Sequence, residues 1–463
     1  MKRNVYILIV LSFSFIMAMA QGKESKNQQE KTSLYRYRLY LADKANSPYS
    51  INKPEDFLTQ RSIDRRKRYN ISIDTYDLPV SPAYLDSLRS IGLKIHNASK
   101  WQNTVVVETS DKSLVNKACN FSFIKGSRLV WAKPDKAPKE LVSDRKLKVK
   151  NKRDTLDSYY GHSQHQIEML SVNYLHSAGY RGEGMLIGIL DGGFFNADAI
   201  SGFNRNNILG TRNYVNPAAS VYDSDSHGMM VLSCIAANVP NFMVGTAPEA
   251  QFYLIQTEDG DSEQLVEEDN YCAGVEYADS LGCDIVTASL GYYKFDHKEM
   301  NHSYKDLDGR TAINSREASM AASRGILLLN SAGNEGDDTW KKIGFPADAN
   351  NILAVGAVSA DSTNTRFSSV GHSADHRIKP DAMAMGEGVA LYNTRGNASA
   401  ANGTSFSCPL LCGAVACLWQ AHRDKTPVEI IEAVRSTGNY SNEPNEVFGY
   451  GIPNLWQAHE NMK

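Results

Sequence analysis

Four short stretches of this chain carry groups able to do chemistry, at places where packing alone does not ask for them. In "ILDGGF", Asp191 ends an apolar run and is followed by two glycines that let the backbone turn sharply. In "SHGMMV", His227 opens a segment in which Met230, Val231, Cys234 and Ile235 recur at helical spacing, and Gly228 leaves room beside the imidazole. In "SAGNEG", Asn334 follows another apolar run and has an amide that could donate a hydrogen bond into a cleft. In "NGTSFSCPL", Ser405 stands between a Gly-Thr pair and a mostly apolar helical stretch. Free N–H groups and the helix dipole favour negative charge at such a start, which suits a nucleophile that generates an oxyanion. Each residue alone also has a plainer reading: a turn cap, a structural histidine, a small-residue turn, an N-cap. A carboxylate, an imidazole, an alcohol and an amide donor are together the parts of nucleophilic acyl transfer.

These residues need a scaffold that can bring them together. The runs at 185–190, 252–256, 284–290, 326–332 and 352–358 are continuously apolar, as in strands buried on both faces of a parallel sheet. Helical stretches lie between most of them, around 264–281 and 314–324. The expected fold class is α/β, a doubly wound and mostly parallel sheet, whose ligands bind at the carboxyl ends of the strands. Asp191 and Asn334 follow directly on such runs.

The order Asp, His, Asn, Ser resembles that of the subtilisin-like serine peptidases, the subtilases. "ILDGGF", "SHGMMV", "SAGNEG" and "NGTSFSCP" match that family's four motifs. "FPADANNILAVGAV", "RFSSVG" and "IKPDAMAMGEGV" resemble its connecting segments, and "GYGIPNLWQA" its closing one. The resemblance implies that Ser405 is the nucleophile, His227 the general base and acid, Asp191 its orienting carboxylate, and Asn334 an oxyanion donor. "TASLGYY" resembles the substrate-binding strand, so Ser289, Leu290 and Gly291 would pair with an extended peptide. Met229 and Met230 after Gly228, and Leu410 after Pro409, depart from the common pattern near the triad. Tyr292 stands where the family often has a small residue and is expected to narrow or reshape a subsite. The family often binds calcium. No ligand set matches here, so structural calcium stays open but unassigned, and the resemblance implies no required cofactor.

The first part of the chain has another organisation. "LYRYRLYL" alternates like a strand; "SPAYLDSLRSIG" reads as a helix with Ser81 as N-cap, Pro82 at its first position and Gly92 at its stop. Strands at 103–109 and 128–132 and a helix in "DKSLVNKA" complete a small α+β unit that resembles a subtilase propeptide. The basic run Arg65 to Arg68 is expected to be a solvated helix face. Residues 136–153 carry eight Lys or Arg against two acids and read as an exposed linker, open to self-cleavage between about Lys136 and Gln166. Before all this, Lys2 and Arg3 precede an apolar run ending in Ala18-Met19-Ala20, the pattern of a secretory signal. The expected organisation is signal 1–20, propeptide 21–135, linker 136–165 and peptidase domain 166–463.

A net charge of −3 gives no bulk attraction to nucleic acid or anionic membrane. No later stretch is expected to be long and apolar enough for a membrane span, so no anchor is expected. The seven cysteines form no C-x-x-C pair and are expected to be mostly buried free thiols. Expected partners are protein or peptide substrates and the chain's own propeptide, acting as an intramolecular inhibitor; the product is secreted or periplasmic. Peptide ligation, another acyl hydrolysis, or a non-catalytic role on the same scaffold are the alternative readings.

Overall fold

The computed structural model describes residues 33–134 and 156–463. The expected signal segment, the basic run of the linker and most of the proposed cleavage region lie outside the described residues.

Residues 34–134 build a four-stranded antiparallel sheet in the order Lys94–Ser99, Thr104–Thr109, Tyr35–Leu41, Ile124–Ala132. Three helices accompany it. Gln60–Arg68 is capped by Thr59, whose side chain accepts from Ser62 N. Pro82–Ser90 has proline in its first turn, where no N–H is needed. Lys112–Ala118 is capped by Asp111. Leu39, Leu88, Val105 and Val107 form the centre of this unit's core.

The larger sheet has seven parallel strands in the order Ala382–Met385, Leu353–Val358, Leu327–Ser331, Ile285–Ala288, Leu186–Asp191, Gln251–Gln256, Ile208–Asn213. Strand alternation sends neighbouring side chains into different layers. Ile187 and Ile189 pack with the helices His227–Ala236 and Thr404–Ala421. Leu186 and Leu190 pack with Val266–Leu281 and Ile313–Ala321 on the opposite face. Coverage of both faces explains why Leu186–Asp191 is buried at every position. The strand order reverses direction at Leu186–Asp191, beside Ile285–Ala288, and a crevice is expected at such a point.

Two expectations need correction. Thr404–Ala421 has the length and apolarity of a membrane span, yet 89% of it is buried inside the protein. Its apolar surface is used by the sheet and by helix His227–Ala236. Arg65 and Arg66 are not a solvated face: each is only 1% exposed. They enter the seam between the small unit and helix Val266–Leu281, where Arg66 Nη2 lies 3.0 Å from Asp279 Oδ2 and 2.6 Å from Asp77 Oδ1. Arg65 pairs with the other oxygen of Asp279, and Lys100 Nζ lies 2.9 Å from Oδ2. Burial alone would raise the Asp279 pKa, but Lys100, Arg66 and Arg65 together hold it far below the usual carboxylate range. Arg38 adds a two-pronged pair to Asp269, at 2.6 and 2.7 Å.

All seven cysteines are free thiols, six of them buried and Cys119 exposed.

Candidate active site

Asp191 is the last residue of its strand and is fully buried. Its Oδ1 accepts from Gly192 N at 2.8 Å. Its two oxygens lie 2.9 and 3.1 Å from His227 Nδ1. His227 is the first residue of helix His227–Ala236, and its backbone N–H is bound at 2.8 Å by Asp225 Oδ1. The side chain remains 31% exposed, so one edge of the ring faces outward. Burial opposes the imidazolium, but the Asp191 charge and hydrogen bond, with Asp225 adding to them, raise the His227 pKa above its ordinary value.

Gly228 makes the close approach possible. A Cβ there would overlap Gly193 O and sit 2.8 Å from Asp191 Cβ and 2.9 Å from Phe194 Cε1. Any side chain would therefore push the helix away from the strand that carries Asp191.

Ser405 is the second residue of Thr404–Ala421. The helix contains Pro409, which has no N–H to give the carbonyl four residues earlier. That carbonyl belongs to Ser405, and Ser289 Oγ donates to it at 2.8 Å instead. In return Ser405 Oγ donates to Ser289 O at 3.4 Å. A missing backbone donor thus ties the helix that carries Ser405 to the strand end at Ser289. The Phe406 ring packs against the His227 ring with centroids 5.6 Å apart, which brings the helix start beside the imidazole. Among the described residues no hydrogen bond joins Ser405 Oγ to His227.

Asn334 completes the group. Its Oδ1 accepts from Thr404 N at 2.9 Å and from Thr404 Oγ1 at 3.0 Å. With the oxygen held this way, the planar amide turns its NH₂ away from Thr404, and no acceptor takes it among the described residues. The turn before it needs glycine: Gly333 has φ +116°, and Thr404 Oγ1 also accepts from its N–H at 3.2 Å.

The structure therefore brings Asp191, His227, Ser405, Asn334 and Ser289 to one edge of the sheet. Leu290 O accepts from Asn330 Nδ2 at 2.8 Å, and a Cβ added to Gly291 would meet open space. Tyr292, expected to narrow or reshape a subsite, turns its side chain into the protein. It is 1% exposed, its backbone exchanges two hydrogen bonds of 2.9 Å with Phe345, and its hydroxyl donates to Glu258. Residue-level reading missed Thr404, Asp225 and Glu258. Thr404 was inside the quoted serine motif, whereas nothing in sequence marked Glu258. No group of three or more metal-ligating side chains occurs among the described residues.

Comparison with known proteins supplies the family. The subtilase family model matches residues 182–451, and a model of the peptidase S8 propeptide domain of Bacteroidota matches residues 36–147. Subtilisin NAT of Bacillus subtilis subsp. natto is 28% identical over 333 residues, covering 70% of this chain and 78% of that protein. Subtilisin Savinase of Lederbergia lenta is 27% identical over 284 residues, 61% of this chain and 93% of its own length. The crystal structure of MycP1 from Mycobacterium smegmatis shares the fold, with a TM-score of 0.52 at 18% identity over 66% of this chain and 87% of that one. A parallel sheet flanked by helices, the matched length of the peptidase region and the propeptide ahead of it agree: this chain belongs to the subtilase family of serine endopeptidases.

Proposed function

We propose that this chain is the precursor of a secreted endopeptidase that cuts peptide bonds with Ser405, His227 and Asp191 and releases itself from its own propeptide. What supports this reading most is the Asp191–His227 pair with the Ser405 helix start packed beside it. Ser405 O–H turns from Ser289 O toward the outward nitrogen of His227, a bond that commonly tightens only when substrate is bound. The serine oxygen attacks the scissile carbonyl while His227 takes its proton. His227 then passes the proton to the leaving amine, and water repeats the sequence to free the acid. Asp191 holds the tautomer and steadies the imidazolium. Asn334 Nδ2 and the Ser405 N–H receive the oxyanion at the start of a long helix, where the dipole adds to the effect. Ser289, Leu290 and Gly291 flank the extended substrate. The chemistry needs no cofactor.

The propeptide comprises residues 21–135 after a signal at 1–20, and the cut falls between about Lys136 and Gln166. Until it leaves, the propeptide acts as an intramolecular inhibitor. Labelling the isolated enzyme with a fluorophosphonate tests the nucleophile: the label is expected on Ser405 and lost in Ser405→Ala. A label that survives that substitution overturns the assignment. Self-processing is tested in a host without a trans-acting protease, where Ser405→Ala should retain the propeptide. The same shortened N-terminus in both proteins would refute it.

A further inference from the structure

Glu258 is an acid at this edge of the sheet that the chemistry above does not use. Thr257 N, one residue earlier, donates to Asp191 O at 3.0 Å, which places Glu258 directly beside the candidate carboxylate. A Cβ on Gly192 would lie 3.6 Å from Glu258 Cβ and 3.7 Å from Asp225 Cβ, so Glu258 borders the same turn that leads to His227. From the other side Tyr292 donates its hydroxyl to Glu258 Oε1. Tyr292 is the neighbour of Gly291, whose surface is open. The carboxyl thus spans the two walls between which the peptide would lie. It is half-buried, and its Oε2 takes no hydrogen bond among the described residues.

Glu263 acts on the charge of Glu258, and Glu258 on that of Glu267, and among the described residues no Lys or Arg forms an ion pair with any of the three. Burial first, then Glu263 and Asp191, raise the Glu258 pKa well above the ordinary carboxyl value. An acid held this way gains most from an incoming cation that lets it ionise. The segment proposed above to hold the cleavage site is basic. Ala132 of the propeptide exchanges hydrogen bonds of 2.8 and 3.0 Å with Gln264, next to Glu263. The sequence that follows supplies eight Lys or Arg between residues 136 and 153.

We infer that Glu258, anchored by Tyr292, is a specificity determinant that selects a lysine or arginine side chain of the substrate near the scissile bond. The inference rests on the catalytic reading given above. It is tested by measuring kcat/KM for peptides in which Lys, Arg or norleucine is moved through each position flanking one cleavable bond. The isolated wild-type enzyme should favour the basic peptides at one position by roughly tenfold or more. In Glu258→Gln, which keeps the shape and can still accept from Tyr292, that ratio should fall toward one. Tyr292→Phe, which keeps the carboxyl, should retain a basic preference. Equal rates in the wild type, or a preference that persists in Glu258→Gln, overturn the assignment while leaving the catalytic reading intact. An enzyme that takes no fluorophosphonate and cuts none of the peptides overturns both.

Discussion

His227 Nδ1 lies 2.9 Å from Asp191 Oδ1, and in the proposed mechanism this contact sets the pH at which the imidazole can act as a base. Asp191 raises the His227 pKa above its ordinary 6.5, so the neutral ring becomes available only as pH rises past that higher value. The acid limb of a kcat/KM profile should accordingly report an apparent pKa above 6.5. Asp191→Asn removes the charge and leaves burial, which lowers the pKa. The limb should move to lower pH while kcat falls by roughly 10⁴. A variant limb at the wild-type pH would contradict this account.

Asn334 is held through its oxygen by Thr404, so its nitrogen is available to developing negative charge. Asn334→Ala should lower kcat by about 10²–10³, the magnitude known from subtilisin itself for losing one such donor, with KM changed far less. A loss mainly in KM would point to substrate binding instead. Thr404→Val should produce a smaller loss of the same kind, because it removes one of the two bonds that hold the Asn334 oxygen and leaves the one from the Thr404 N–H.

Gly228→Ala would drive a methyl into Asp191 Cβ and Phe194. The expected cost is about 1–3 kcal/mol of stability, the range for overpacking. Turnover should drop further than stability explains, since the helix that carries His227 must shift away from Asp191. Denaturant unfolding beside active-site titration separates the two effects.

Asp279 gathers Arg65, Arg66 and Lys100 in the seam between propeptide and peptidase. Asp279→Asn would leave three buried cations without their shared anion, at a cost of about 3–5 kcal/mol in the precursor. The effect should be large in unprocessed Ser405→Ala protein and small in the mature enzyme, where the seam is open to water. Equal melting shifts in both would show that the carboxylate serves the peptidase fold alone.

The sequence by itself determined the parts whose causes are local. Unbroken apolar runs such as "MLIGIL" and "ILAVGAV" disclose strands buried on two faces, and the glycines after Asp191 and before Ser405 disclose sharp turns at their ends. Tertiary structure alone decided the rest. Ile208–Asn213 is an edge strand with half of its residues exposed, and Ala382–Met385 has only four, so neither carries a readable period. Arg65 and Arg66 look like a solvated face until Asp279, more than 200 residues away, arrives to bury them. Ser289 is recognisable as a strand end, but only folding puts its hydroxyl where Pro409 has left a carbonyl without a donor. Apolar burial repeats along a chain because one face of an element meets the core. Burial of a charge or a polar group depends on a single distant partner, and a linear pattern has no period that can announce it.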